Sequence, residues 1–456
     1  MDSRRDFLRS LGTVWAVRRP SPNLILIVTD DQRYDALGCA RNAAIRTPAM
    51  DALATGAVRF TNAFVSTSVC SASRACTLTG RYGSVNGVMG LGGGLRPGEK
   101  TLVTYLKAAG YQMGFAGKWH LDHPATPAEA GFDFVTYFKA NGPHHNRKVI
   151  EHGRERVATG FIEDYLVDQS IRFLESAAKK PAPFLLHLCT QVPHMNPSFD
   201  WDPKPETLAI YRQLEPPLPR NWQDDLTGKP PYLRTGRHRE RGTAYGYQTP
   251  AGIRNHVRRY YASLTDLDHA LGRLLAALDA LRLRESTYIL LMGDNGWMMG
   301  EHGFTSKVLP YEESIRVPLL VSGPGLKPGA DRHLVLNADL APTLLHLAGV
   351  AVPRNMHGRS LRPLLEGRRT AWRSAVLYEA LKPELGSWPL VAVRTERWKY
   401  VQTFDLHQPG RLAFEELYDL SRDPGEMRNL ASSPEHQTIQ RALGDQLREL
   451  RASIQE

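Results

Sequence analysis

Two short apolar runs, Asn23–Thr29 and Thr287–Met292, each stop at a cluster of acids and amides: Asp30-Asp31 after the first, Gly293-Asp294-Asn295-Gly296 after the second. Neither run alternates apolar with polar side chains. Each therefore reads as a parallel strand covered on both faces, not as a strand with one wet side. In open α/β sheets ligands bind in the crevice beyond the carboxyl ends of the strands, so carboxylates at two such ends predict one shared site.

The remaining elements fit the same plan. Helices are expected near Pro48–Thr55, Leu102–Ala109 and Ala338–Leu347, and a long amphipathic helix over Tyr260–Leu281, where leucines recur at helical spacing. Strands are expected near Val58–Phe64, Gln112–Ala116, Phe184–Leu188 and Val317–Val321. This alternation predicts an α/β fold with a large, mostly parallel sheet flanked by helices over residues 21–370. From about residue 370 the pattern changes. Ala375–Tyr378 and Val391–Val401 read as antiparallel strands and Gln437–Ile454 as a closing helix, a smaller α+β domain over 371–456. The segment from about 196 to 258, rich in Pro, Arg and Tyr and weakly periodic, is too long for a plain connection and reads as a substrate-shaping insertion.

Composition narrows the function. With 57 Lys and Arg against 47 Asp and Glu, the net charge of +10 favours encounter with polyanions, and equally suits ordinary solubility. The basic residues are scattered and no helix-turn-helix, zinc-finger or stacking signature is present, which argues against nucleic acid as the partner. No run is long and apolar enough to span a bilayer. The start, Ser3-Arg4-Arg5-Asp6-Phe7-Leu8 followed by the apolar stretch Leu11–Val17, resembles a twin-arginine export signal over residues 1–20, which would place the protein in the periplasm or outside the cell. A disordered basic tail is the alternative.

Four cysteines, at 39, 70, 76 and 189, form neither a disulfide framework nor a Cys-x-x-Cys pair. Cys39, Cys76 and Cys189 are expected to be inert, buried small hydrophobes. Cys70 is different. It begins Cys70-Ser71-Ala72-Ser73-Arg74-Ala75-Cys76-Thr77-Leu78-Thr79-Gly80-Arg81, which resembles the type I sulfatase signature Cys-x-Pro-Ser-Arg-x-x-x-Leu-Thr-Gly. That family belongs to the alkaline-phosphatase superfamily, and its cysteine is oxidised after translation to formylglycine. Ala72 stands where most members have proline, like the variant handled by radical-type maturation enzymes. The position also suits an anion, because Cys70 precedes a predicted helix whose positive end would stabilise a sulfate.

Asp30, Asp31, Asp294 and Asn295 offer four hard oxygen donors without histidine or thiolate, a set suited to calcium or magnesium and not to zinc. Separately, such pairs are usually caps or turns. The resemblance makes them metal ligands together with residue 70, and it implies calcium, with magnesium as the alternative. It also implies that Lys118 of Gly117-Lys118-Trp119-His120 clamps the sulfate and His120 hydrogen-bonds the formylglycine hydroxyl. His194 of Pro193-His194 would protonate the leaving oxygen, and Lys307 would be the second sulfate-binding lysine. Arg74 and the metal would polarise the attacking hydroxyl.

The resemblance runs from about residue 22 to 431 and includes Ser314-Ile315-Arg316-Val317-Pro318, His357-Gly358-Arg359-Ser360-Leu361 and Glu416-Leu417-Tyr418-Asp419-Leu420, for which folding roles suffice. It implies a calcium-assisted sulfatase acting on sulfated small molecules or glycans, with a formylglycine-generating enzyme as maturation partner. Two other readings stand beside it: a phosphate- or phosphonate-ester hydrolase on the same architecture, and a non-catalytic binder of sulfated glycans. The complete catalytic set weighs against the binder.

Overall fold

The run Asn23–Thr29 forms β1, near the middle of a ten-stranded sheet, in a computed structural model that describes residues 21–455. The other strands of this sheet are β2 (Ala57–Phe64), β3 (Gln112–Lys118), β4 (Phe134–Phe138), β5 (His145–Glu151), β6 (Arg154–Phe161), β7 (Phe184–Cys189) and β8 (Thr287–Gly293). After a small ribbon of β9 (Met298–Met299) and β10 (Thr305–Ser306), β11 (Leu319–Ser322) and β12 (Gly329–Leu336) complete it. The spatial order is β12-β2-β11-β8-β1-β7-β3-β4-β5-β6. The expected export segment, residues 1–20, lies outside the described residues.

Register places the site. β1 pairs in parallel with β8, Asn23 opposite Thr287 and Thr29 opposite Gly293, so the two acidic clusters leave the sheet side by side. On its other edge β1 pairs in parallel with β7, which pairs in parallel with β3, Gly117 opposite Cys189. Lys118 and the loop carrying His194 therefore emerge at the same edge. Parallel pairing dominates the centre. β11 runs antiparallel to both its neighbours, and β4, β5 and β6 extend the far edge as an antiparallel meander.

Both faces of β1 are covered, as its unbroken apolar run requires. Leu24, Leu26 and Val28 join a core with Ala72, Ala75 and Leu78 of the helix Cys70–Thr79, and Ile25 and Ile27 join one with Leu264, Leu267 and Leu274 of the long helix. Each fully buried Leu or Ile contributes roughly 1.5–3 kcal/mol. The first core continues into a four-stranded antiparallel sheet, β13 (Ala375–Ala380), β14 (Leu390–Thr395), β15 (Trp398–Phe404) and β16 (Leu412–Asp419), against which Leu443 and Leu447 of helix Gln437–Ser453 pack. The chain is thus α/β with a smaller C-terminal antiparallel sheet. No helix of the described residues is long and apolar enough to cross a membrane.

One local expectation needs correction and two gain detail. The long helix begins at Pro250 instead of Tyr260, capped by Thr249, whose hydroxyl accepts from the Gly252 amide at 3.1 Å. Ile253, His256, Val257 and Tyr260 carry its buried stripe, which the intervening arginines mask in sequence. The weakly periodic segment before it holds the helices Pro205–Tyr211 and Arg237–Ala244. Finally, Val391–Val401 is two strands, β14 and β15, joined by a tight turn at Thr395–Trp398.

Candidate active site

The two strand ends are stitched together by their own acids. The Asp294 amide donates to the Thr29 carbonyl at 2.8 Å, and the Asp31 amide donates to Asp294 Oδ1 at 3.1 Å. Asp31 adopts φ +63°, in the left-handed region that an L residue enters at a cost. That turn lets Asn295 Nδ2 donate to Asp31 Oδ1. Cys70 opens the buried helix Cys70–Thr79, whose first amides lack intrahelical partners, and its Sγ lies 3.1 Å from Asp30 Oδ1.

Three cations face the three carboxylates. Lys118 Nζ reaches Asp30 Oδ2 at 2.5 Å; Lys307 Nζ reaches Asp31 Oδ1 at 2.5 Å and Cys70 Sγ at 2.6 Å. Arg74 forks onto Asp294 Oδ2 at 2.9 Å and stands 3.5 Å from Asp30 Oδ2. All these side chains are buried. Lys118 gets this close because Gly117, at φ +118°, lets β3 press against β7: a Cβ there would sit 1.8 Å from the Cys189 carbonyl oxygen. Three positive and three negative groups leave the cluster neutral. A divalent ion would make it doubly positive, and an anionic ester would offset that charge.

The protonation pattern follows from this crowding. Burial alone would raise the Asp30 carboxyl, but Lys118, His194, Arg74 and Lys307 outweigh it and hold Asp30 well below the usual range. Burial lifts Asp31 to about 6 against the pull of Lys307, and burial with repulsion from Asp30 lifts Asp294 to about 6. Burial, then Asp30, pushes the Cys70 thiol upward. As a thiol, residue 70 is therefore a poor nucleophile, since the thiolate is the reactive form.

Lys307 owes its position to the C-terminal sheet. Its neighbours Ser306 and Val308 both take left-handed φ values, +84° and +79°, unusual for a β-branched residue such as Val308. Tyr378 of β13 fixes this segment: its hydroxyl donates to the Val308 carbonyl at 2.6 Å and meets Ser68 Oγ at 2.6 Å, while Ser68 Oγ accepts from the Val308 amide at 3.1 Å. Tyr378→Phe is expected to cost about 1–3 kcal/mol in urea unfolding, because it leaves buried partners unsatisfied. Turnover should fall more than that loss explains, since Lys307 loses its fixed backbone. Unchanged turnover at saturating substrate would show that Tyr378 does not hold Lys307.

His194 sits 3.5 Å through Nε2 from Asp31 Oδ2, with Nδ1 donating to the Met195 carbonyl at 2.7 Å and Nε2 accepting from Asn141 at 2.9 Å. Burial lowers it to about 3, leaving the ring neutral. His120 enters from the loop after β3 with φ +58°; its Nδ1 is buried without a partner, and burial then Lys118 lower it to about 2. Trp297 walls the site, 6.0 Å between ring centroids from His194 and 5.7 Å from Lys307 Nζ to its ring centre. Asn141, Trp297 and Tyr378 had no signal in the sequence, each being one residue without a spacing pattern.

The carboxylate oxygens of Asp30 and Asp31 suit a hard divalent ion, while the Cys70 sulfur and the His194 imidazole beside them are softer donors. Ligand atoms of Asp30, Asp31, Cys70 and His194 all lie within 4.8 Å of one another, and Asp31 Oδ2 is buried without a hydrogen-bond partner. Asn295 adjoins this group through Asp31, while both Asp294 oxygens are engaged, by Arg74 and by the Asp31 amide. His194 was not among the ligands expected from sequence.

Comparison with known proteins gives the family. The family model described as Sulfatase matches residues 22–350, and one described as N-sulphoglucosamine sulphohydrolase, C-terminal, matches residues 300–453. The chain is 29% identical over 499 residues to an N-acetylglucosamine-6-O-sulfatase of Bacteroides thetaiotaomicron, covering 94% of this chain and 86% of that protein. It is 32% identical over 471 residues to human arylsulfatase A, covering 94% and 87%. A solved structure in complex with its substrate D-glucosamine-2-N,6-O-disulfate superposes with a TM-score of 0.87 at 27% identity, over 95% of this chain and 98% of the other.

Proposed function

The chain belongs to the sulfatase family and hydrolyses sulfate esters, and from that premise we propose that it desulfates carbohydrates using a formylglycine made from Cys70 beside a bound calcium ion. The observation that carries this reading is the meeting of Cys70, three carboxylates and three cations at the ends of β1 and β8. A carbohydrate substrate is supported by the similarity to an N-acetylglucosamine-6-O-sulfatase and to a structure holding a sulfated glucosamine, and by the basic insertion over 196–258.

As formylglycine, residue 70 would supply a hydrated aldehyde with one hydroxyl to attack sulfur and a second to expel sulfate afterwards. Calcium, or magnesium, held by Asp30, Asp31, Asp294, Asn295 and residue 70 would supply a fixed positive charge facing the sulfate oxygens. The protein's own groups do the rest. Lys118 and Lys307 bind sulfate oxygens and offset charge as it builds up. Arg74 holds Asp294 in place and adds a positive charge beside residue 70. The neutral His194 takes up a proton from solvent as the anionic ester arrives next to Asp31, and it delivers that proton from Nε2 to the departing alcohol. His120, its Nδ1 otherwise unpartnered, takes the proton from the remaining hydroxyl at residue 70. The maturation enzyme must accept Ala72 in the motif, and the Arg4-Arg5 start supports export to the periplasm.

Mass analysis of the tryptic peptide Phe60–Arg74 from the native host tests the reading. An aldehyde at residue 70 supports it, and an intact thiol in active protein overturns it. Rates on matched aryl sulfate and aryl phosphate esters separate sulfatase from phosphatase or phosphonatase action. His194→Ala should slow a sugar sulfate by about 10²–10⁴-fold, the usual worth of a general acid. A nitrophenyl sulfate, whose leaving group needs no proton, should lose far less; equal losses on both would remove His194 from the acid role.

A further inference from the structure

At the far end of the helix that begins with Cys70 lies a second cavity, about 380 Å³, a volume typical of small-ligand sites. The helix is ten residues long, which puts this end about 15 Å from the catalytic residue. The cavity is lined by Arg81, Arg354, Arg359, Arg373, His357 and Tyr82, among others, and no acidic side chain of the described residues lines it.

The arginines are not equivalent. Arg81 pairs with Glu99 at 2.7 Å and Arg373 with Asp339 at 2.6 Å, so both are held rigid. Arg354 and Arg359 are exposed and have no acidic partner within 4.0 Å among the described residues. Arg81 grips both Glu99 carboxylate oxygens through Nη1. The wall is firm as well: the His357 and Gly358 amides donate to the Gly80 carbonyl at 2.9 and 3.1 Å, and His357 Nδ1 accepts from the Tyr82 amide at 3.1 Å.

We infer that this cavity is a second, non-catalytic site for sulfate groups, with Arg354 and Arg359 as the mobile fork beside the anchored Arg81 and Arg373. Planar guanidinium groups suit a tetrahedral oxyanion, which can accept several N–H donors at once. The group it takes is either free sulfate or a sulfate on an oligosaccharide. The oligosaccharide source rests on the carbohydrate reading above; the sulfate site itself does not. Binding there would hold a sulfated chain on the protein while the catalytic centre works elsewhere.

Calorimetric titration of full-length Cys70→Ala protein, which binds without turnover, tests this with two probes, sodium sulfate and a heparin-derived sulfated tetrasaccharide. Adding Arg354→Ala and Arg359→Ala is expected to remove one binding component, weakening it about tenfold or more and more steeply at low salt. Loss for both probes assigns the site to the free ion as well, and loss for the tetrasaccharide alone assigns it to the chain. Identical binding of both probes with and without the two arginines overturns the site. Both residues are exposed, so the double variant should fold, and in the otherwise unaltered enzyme it should turn over nitrophenyl sulfate at the normal rate. If the substrate is not a carbohydrate, sugar sulfates will fail to turn over while the arginine-dependent binding persists, which keeps the two readings apart.

Discussion

Cys70→Ala is expected to abolish turnover of sulfate esters, a loss on the order of 10⁴–10⁶-fold, as removal of a covalent nucleophile does elsewhere. The protein should still fold. Residue 70 is 1% exposed at the start of a helix, and alanine is smaller and a strong helix former, so only the Sγ contacts to Asp30 and Lys307 disappear. Far-ultraviolet circular dichroism and urea unfolding should therefore change little while the rate collapses. Cys70→Ser gives the sharper result. A serine hydroxyl can attack sulfur once: its oxygen forms the new S–O bond, the alcohol leaves with a proton, and the variant gains the mass of one SO₃. It has no second hydroxyl on the same carbon to break that bond, so it should stall at one equivalent. Wild-type turnover by Cys70→Ala, or continued turnover by Cys70→Ser, would remove residue 70 from the chemistry.

How much of this was legible beforehand depends on how far each feature reaches along the chain. The sheet centre was readable because β1 and β8 are buried on both faces, and that burial writes itself as unbroken apolar runs ending in acids. Asp30, Cys70, Lys118, His194 and Lys307, which the structure brings together, were singled out one motif at a time, in segments that follow a strand or open a helix. What no local pattern encoded was contact across the chain. Tyr378 holds the Lys307 segment from a different sheet, 70 residues on in sequence. Asn141, past β4, meets His194, past β7, because both strands flank β3. The β5–β6 hairpin escaped for another reason: it stands at the sheet edge, largely exposed and rich in Arg, Lys and Glu, so hydrophobic alternation is weak there. The start of the long helix was hidden in the same way by arginines interleaved with its buried stripe.

If the proposed divalent ion is bound, stripping it is expected to abolish activity and to make stability depend on pH in a direction fixed by two carboxyls. Asp31 and Asp294 titrate near 6 in the folded protein, against 3.8 for an unperturbed aspartate. Between those values the folded state keeps protons that the unfolded chain has released, so for these two groups metal-free stability falls as pH rises from about 4 to about 6. Asp30 works oppositely: it is held low, its contribution is complete above 3.8, and it is lost as pH falls through the folded value. An incoming cation must displace the protons on Asp31 and Asp294, so its affinity should climb through about pH 6. At calcium a thousandfold above its dissociation constant the folded state gains about 4 kcal/mol by mass action. Thermal denaturation of chelator-treated protein, with and without calcium, should therefore show a clear upward shift at about pH 7.5 and a much smaller one at about pH 5. Lys118, Lys307 and Arg74 already neutralise the three carboxylates, so the gain comes from oxygen ligation at atoms such as the unpartnered Asp31 Oδ2, and little from net charge. Equal shifts at both pH values, or full activity after exhaustive chelation, would mean that the strand-end carboxylates serve the lysines and arginine alone.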